Sequence, residues 1–110
     1  MGQIVFYSRL ILNENWYYME CWFSGRVQGV GFRYRTCRIA QQFHGVNGRV
    51  RNLKDGRVYL QSEGSEDQLL AFKKKIETEM KGLIDASKTE FSITQRPPVF
   101  KDFKILRWKD

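Results

Sequence analysis

Three glycines, Gly25, Gly29 and Gly31, fall within seven residues between an apolar run and an amphipathic one. Glycine tolerates the backbone conformations in which a tight turn points several N–H groups inward. The stretch Gly25-Arg26-Val27-Gln28-Gly29-Val30-Gly31-Phe32-Arg33 therefore commits the chain to a strand, a curled loop and a helix in succession. Such a loop cradles an oxyanion, and an arginine at its mouth can grip the same anion through two parallel hydrogen bonds. A phosphate or carboxylate is the expected ligand class. The segment lacks the Gly-Lys-Ser/Thr ending of a nucleotide P-loop, which disfavours ATP.

The periodicity on either side supplies the rest of the architecture. Residues 17–26 are rich in aromatics and read as a strand. Residues 33–44 read as a helix, with Phe32, Thr36, Ile39, Ala40 and Phe43 at helical steps and Gly45 as its stop. Val46, Gly48 and Val50 alternate with Asn47, Arg49 and Arg51, the pattern of a half-buried strand over 46–52. Lys54-Asp55-Gly56 is a tight-turn signal, and Val58 and Leu60 open the returning strand of a hairpin. Ser65-Glu66-Asp67-Gln68 predicts a capping box. Leu69, Phe72, Ile76 and Met80 then form the buried stripe of a second helix, with Lys73-Lys74-Lys75 on its solvated side. Residues 88–95 alternate as a strand, Pro97-Pro98 breaks the chain, and 102–108 hold a last strand around Phe103, Ile105 and Leu106. Two crossovers flanking a hairpin predict an α+β, ferredoxin-like (split βαβ) sandwich. It has an antiparallel sheet, two helices on one face and an extra fifth strand. In that arrangement the glycine loop and a helix N-terminus aim at the same anion.

Composition narrows the chemistry. A chain of 110 residues that is 42% apolar suits one domain with a core. The net charge of +7 favours anionic partners. Cys21 and Cys37 are too few for a disulfide framework and lack metal spacing, and His44 is the only histidine. A zinc site and a serine triad are therefore disfavoured, and His44 reads as a surface residue at a helix end. No run is long enough to span a membrane, and the first sixteen residues make a poor secretory signal. Residues 1–18 read as an N-terminal extension, or as the product of start-site choice, before a domain at 19–110.

Gly25-Arg-Val-Gln-Gly-Val-Gly-Phe-Arg33 resembles the signature of the acylphosphatases. Gly48-Arg-Val-Arg-Asn52, followed by Asp55-Gly56, resembles their second signature. The resemblance covers about residues 19–108 and implies hydrolysis of the carboxyl–phosphate bond of acyl phosphates without metal or organic cofactor. It implies that Arg33 and the backbone amides of Arg26, Val27, Gln28, Gly29 and Val30 hold the phosphoryl group. Asn52 then orients the attacking water. The residues alone fit the same roles. A cation at the positive end of a helix suggests an anion between them, whereas Asn52 by itself suits a turn equally well. Cys21 and Cys37 read as a reduced pair in a cytoplasmic protein, and a monomer acting on a small-molecule acyl phosphate, with no membrane or nucleic-acid partner, is expected. Arg49 departs from the pattern, standing where the family commonly has an aromatic. The link from Met80 to Lys88 lacks an expected glycine–proline piece.

A different class of function also fits the basic charge: an RNA- or other anion-binding ferredoxin-like module without catalysis. Against it, Val30 and Arg33 fall where the aromatic RNA-binding motif needs an aromatic and an apolar residue. An inactive domain that uses the loop as an anion sensor is a third possibility, which a phosphate-release assay separates from the first.

Overall fold

The computed structural model describes residues 16–94 and 98–107. Its first element, β1 (Trp16–Gly25), buries Met19, Cys21 and Phe23 and turns Tyr18, Glu20 and Trp22 to the opposite face. Successive strand side chains alternate faces, so one run of alternating apolar residues makes one wall of a core. Because β1 begins at Trp16, three residues of the expected 1–18 extension belong to the sheet. Residues 1–15 lie outside the described residues, as does Pro97 of the expected Pro97-Pro98 break.

α1 (Phe32–Ala40) follows the glycine loop and buries Phe32, Thr36, Ile39 and Ala40. It ends before the expected 33–44 helix would, because its exit tightens. Gln42 N–H donates to the Ile39 carbonyl and Phe43 N–H to that of Ala40, each at 3.0 Å. These three-residue steps close the helix in the manner of a 3₁₀ turn. Phe43 still reaches the core, edge-on to Phe72 at 5.8 Å.

β2 (Asn47–Asn52) and β3 (Val58–Gly64) form the expected antiparallel hairpin. Leu53 N–H donates to the Arg57 carbonyl at 2.8 Å across its neck. α2 (Glu66–Glu79) starts at Ser65, whose side chain accepts from the Gln68 N–H. That is half of the capping box. The Gln68 side-chain oxygen instead accepts from Gly45 N–H at 3.0 Å, joining the start of α2 to the turn after α1. Leu69, Phe72 and Ile76, with Met80 just beyond the helix, are the buried stripe. Lys73 and Lys75 pair one turn on with Glu77 and Glu79, on the solvated face.

β4 (Ile84–Thr94) begins earlier than the expected 88–95 strand and is mostly exposed. β5 (Phe103–Ile105) is short. The sheet order is β4-β1-β3-β2-β5. The first four strands pair antiparallel, and β5 joins β2 in parallel, so the extra strand makes the sheet mixed. Both helices pack their apolar stripes against the wall of Met19, Cys21, Phe23, Val50 and Leu60, giving one core. Among the described residues no helix is long and apolar enough to cross a membrane.

The approach to β5 is held by an uncommon group. Glu63 is fully buried, and its Oε1 accepts from the N–H groups of Val99 and Phe100 at 2.8 and 2.9 Å. A carboxylate taken out of water is costly unless hydrogen bonds replace the lost solvation, and these two amides supply part of that replacement.

The hairpin leaves no room for a side chain at one point. A Cβ added at Gly48 would overlap the Gln61 carbonyl oxygen and lie 2.9 Å from Ser62 Cα. Gly48→Ala is expected to lower the free energy of unfolding by about 2 kcal/mol or more, through forced separation of β2 and β3. Urea denaturation reads this as a lower midpoint, and an unchanged midpoint would contradict the close approach.

Candidate active site

The glycine loop leaves β1 and enters α1 in two left-handed steps, at Gly29 (φ 77°) and Gly31 (φ 79°). L side chains rarely adopt that conformation, which explains glycine at both positions. Gly31 is the N-cap of α1, supplies no side-chain cap, and is followed by a first turn without an acidic residue. The positive end of the helix dipole is thus left to an external anion.

Each expected loop residue has a distinct place. Arg26 N–H donates to the Leu83 carbonyl at 2.9 Å, so this amide fastens the base of the loop to the turn just before β4. The expectation that it shares the anion cradle does not fit that bond. Val27 is buried, anchoring the loop in the core, and Val30 is exposed. Beyond the backbone amide expected of it, Gln28, whose mid-loop side chain suits either bracing the turn or touching ligand, braces the loop. Nε2 donates to the carbonyls of Leu53 and Arg57 at 2.8 and 2.9 Å, clamping the loop to the neck of the hairpin just beyond Asn52. The amides of Val27, Gly29 and Val30 have no acceptor among the described residues.

Arg33 sits in the first turn of α1, half-buried, and its Nη1 donates to the Leu106 carbonyl at 3.1 Å. That bond fixes the guanidinium and leaves its other N–H groups for a ligand. Asn52 closes β2 and is 7% exposed, and its buried Oδ1 has no hydrogen-bond partner. A buried carbonyl oxygen without a donor is costly, which marks this atom as a waiting acceptor. Arg33, Asn52, Val27, Gly29 and Gly31 line one cavity of about 240 Å³. Phe32, Tyr34, Ile105 and Arg107 complete its wall. A larger hollow of about 480 Å³, beside Arg35, Arg38 and Gln41, contains neither the loop nor the orphaned oxygen.

Sequence reasoning placed Leu106 in the last strand but gave neither it nor Arg107 a part in the site. Both follow β5, and only the parallel pairing of β5 with β2 brings them beside Asn52. Leu106 N–H continues that pairing by donating to the Val50 carbonyl at 2.9 Å. The cue in the sequence is weak, a short apolar run after the prolines.

The other reactive groups lie elsewhere. His44 is exposed and lines a separate hollow with Phe43 and Phe103. Among the described residues no three His, Cys, Asp or Glu side chains converge as metal ligands would. Cys21 is buried, its Sγ 3.5 Å from Thr89 Oγ1. Burial pushes its thiol up to about 11, and burial does the same to Cys37. Neither is a ready thiolate at neutral pH.

A model of the acylphosphatase family matches residues 19–105. The chain is 42% identical over 83 residues to an acylphosphatase of Thermotoga maritima, covering 74% of this chain and 88% of that one. It is 54% identical over 48 residues to an acylphosphatase of Archaeoglobus fulgidus, covering 44% of this chain and about half, 53%, of that relative's length. The crystal structure of acylphosphatase from Bacillus subtilis superposes with a TM-score of 0.70 at 27% identity, over 82% of this chain and 98% of that one.

The raised thiols make the fold sensitive to alkali. The folded state keeps the protonated thiols, so their contribution is complete below about pH 9 and is lost as pH rises toward 11. Replacing both cysteines by alanine is therefore expected to flatten the decline in unfolding free energy across that range relative to the parent chain. Denaturant titrations at stepped pH measure the two slopes; equal slopes would show that the thiols contribute nothing.

Proposed function

The chain belongs to the acylphosphatase family, and on that premise we propose that its loop cavity hydrolyses acyl phosphates to a carboxylate and inorganic phosphate. One observation carries the reading. The partnerless Asn52 Oδ1 shares a small cavity with Arg33 and with an uncapped helix start behind a glycine loop. An acceptor for water and a set of donors for a phosphoryl group therefore face one space.

The reaction follows from that placement. The amides of Val27, Gln28, Gly29 and Val30 and the remaining N–H groups of Arg33 neutralise the phosphoryl oxygens. The Arg26 amide stays with Leu83. Asn52 accepts one hydrogen of a water molecule through Oδ1 and holds its oxygen in line with the scissile bond. The water oxygen attacks phosphorus as the bond to the acyl oxygen breaks. The carboxylate leaves with that electron pair, and the water proton passes to a phosphoryl oxygen. Phosphoryl transfer asks mainly for positioning and charge stabilisation, and a carboxylate leaves without an acid to protonate it. Among the described residues the cavity lining supplies neither a carboxylate nor an imidazole, which supports the substrate's own phosphate as the base. A small-molecule substrate, a monomeric chain and a cytoplasmic site of action complete the proposal.

The sheet's open face weighs against the nucleic-acid reading. Base stacking needs bare ring faces. Here Trp22 and Tyr59 stack on each other at 5.2 Å. Lys88 lies over Trp22 at 5.3 Å and Arg51 over Tyr59 at 5.2 Å. The Tyr59 hydroxyl also donates to the Glu20 carboxylate. The aromatic rings and cations of this face satisfy one another.

Phosphate release from benzoyl phosphate or acetyl phosphate, with a chelator present, tests the proposal. Arg33→Ala and Asn52→Ala are each expected to lower kcat/KM by roughly 10² to 10³, the scale for loss of one transition-state donor or positioning group, with an unchanged circular-dichroism spectrum. An Asn52→Ala chain of full activity would remove the water-positioning role. The kcat of the parent chain is expected to stay flat from about pH 6 to 8. A steep ionisation there would count against the substrate's phosphate as the base.

A further inference from the structure

Arg49 stands where the family pattern has an aromatic, and its partners show what the exchange brings. From β2 its side chain reaches the segment that leads into β5. Nη1 donates to the Asp102 carbonyl at 3.0 Å and to the Gly48 carbonyl at 2.6 Å. The same atom pairs with the Asp102 carboxylate at 2.9 Å, and the guanidinium lies over the Phe100 ring at 5.1 Å. The backbone adds a bond from Gly48 N–H to the Asp102 carbonyl at 2.9 Å. One planar cation therefore holds a carbonyl, a carboxylate and a ring of the incoming segment. Arginine can do this, whereas lysine, with its compact charge, cannot reproduce all of it.

The contacts matter for where they act. The Asp102 side chain is 48% exposed, so the ion pair itself adds little stability. Asp102, however, is the residue immediately before β5, and Leu106 is the residue immediately after it. The Leu106 carbonyl receives Arg33 Nη1. A strand advances about 3.3 Å per residue, so a slip of one residue at the start of β5 would carry that carbonyl out of hydrogen-bond range. Three residues of strand have little pairing of their own to resist the slip. Glu63 holds only the earlier amides, at Val99 and Phe100.

We propose that Arg49 is a positioning residue for the phosphoryl site: it sets the register of β5, and β5 through the Leu106 carbonyl aims the Arg33 guanidinium. The proposal rests on the role given above to Arg33. Its signature is a binding defect that travels through Arg33 and does not follow from general destabilisation.

The test uses the full chain, with inorganic phosphate as competitive ligand and benzoyl phosphate as substrate. Arg49→Ala is expected to raise the phosphate inhibition constant and the KM about tenfold, with a smaller change in kcat. Arg49→Lys keeps a donor for Asp102 but loses the planar stack on Phe100, and is expected to give values between those of Arg49→Ala and the parent. In an Arg33→Ala background, Arg49→Ala is expected to cost no more than about twofold further in kcat/KM, because the two act as one unit. If Arg49→Ala does not fold, Asp102→Asn and Phe100→Leu test the same link from its other side, each with a rise in the phosphate inhibition constant. Parent-like phosphate affinity in Arg49→Ala, or an undiminished loss in the Arg33→Ala background, would overturn the positioning role while leaving the proposed hydrolysis intact. An Arg33→Ala chain as active as the parent would overturn both.

Discussion

The side chain of Gln28 makes the bond on which the site's two halves depend. The glycine loop and the hairpin come from separate parts of the chain. Gln28 Nε2 reaches two carbonyls that stand on opposite sides of the hairpin neck, those of Leu53 and Arg57. The Arg57 carbonyl also accepts from Leu53 N–H, so the loop is tied to a turn that is already closed. Asp55 stiffens that turn further by accepting from the Arg57 backbone and side chain, and these bonds hold its carboxyl below the usual range. Asn52 lies one residue before this neck, and Gln28 lies within the run of proposed cradle amides from Val27 to Val30. Their separation is therefore set before any ligand arrives, the condition under which fixed dipoles lower a barrier most.

The legible parts of the sequence are those governed by local rules. Met19, Cys21 and Phe23 alternate in β1, and Leu69, Phe72 and Ile76 recur at helical steps. Both patterns settle burial without reference to the rest of the chain. Gly29 and Gly31 likewise announce a backbone conformation of their own. The less legible parts depend on partners distant in sequence. β4 is an exposed edge strand, so its alternation is faint: Ile84 is followed by four exposed residues, Asp85 to Lys88, before the next half-buried one. The end of α1 depends on a tightened turn that lets Phe43 meet Phe72. Gln68 has the identity a capping box needs, but its oxygen is drawn to Gly45.

The candidate site divides in the same way. Arg33 is visible because a glycine loop and a helix start flank it, whereas Asn52, which suits its turn equally well, is visible only through the resemblance to the family. Gln28 is visible as a residue but not as a clamp, since its acceptors lie across the fold. Arg49 reads as a surface cation until its reach to Asp102 and Phe100 is known. Leu106 offers a backbone carbonyl, which no side-chain pattern can advertise. Parallel pairing adds to the difficulty, because β5 is joined to β2 by no hairpin and lies far from it along the chain.

The late place of Leu106 in the chain has a kinetic consequence. β1, α1, β2 and β3 carry the loop, Arg33, Asn52 and Gln28, and all precede it. The partner of Arg33 arrives only when the chain beyond β4 has turned back and crossed to the opposite edge of the sheet. Pairings between distant segments form slowly, since their ordering entropy is lost before their contacts are gained. A nascent chain can therefore gather its core early and yet remain without a finished anion grip. Competence for the proposed hydrolysis, on this topology, is acquired at the closing step of folding, so the proposed activity and the docking of the last strand are expected to appear together.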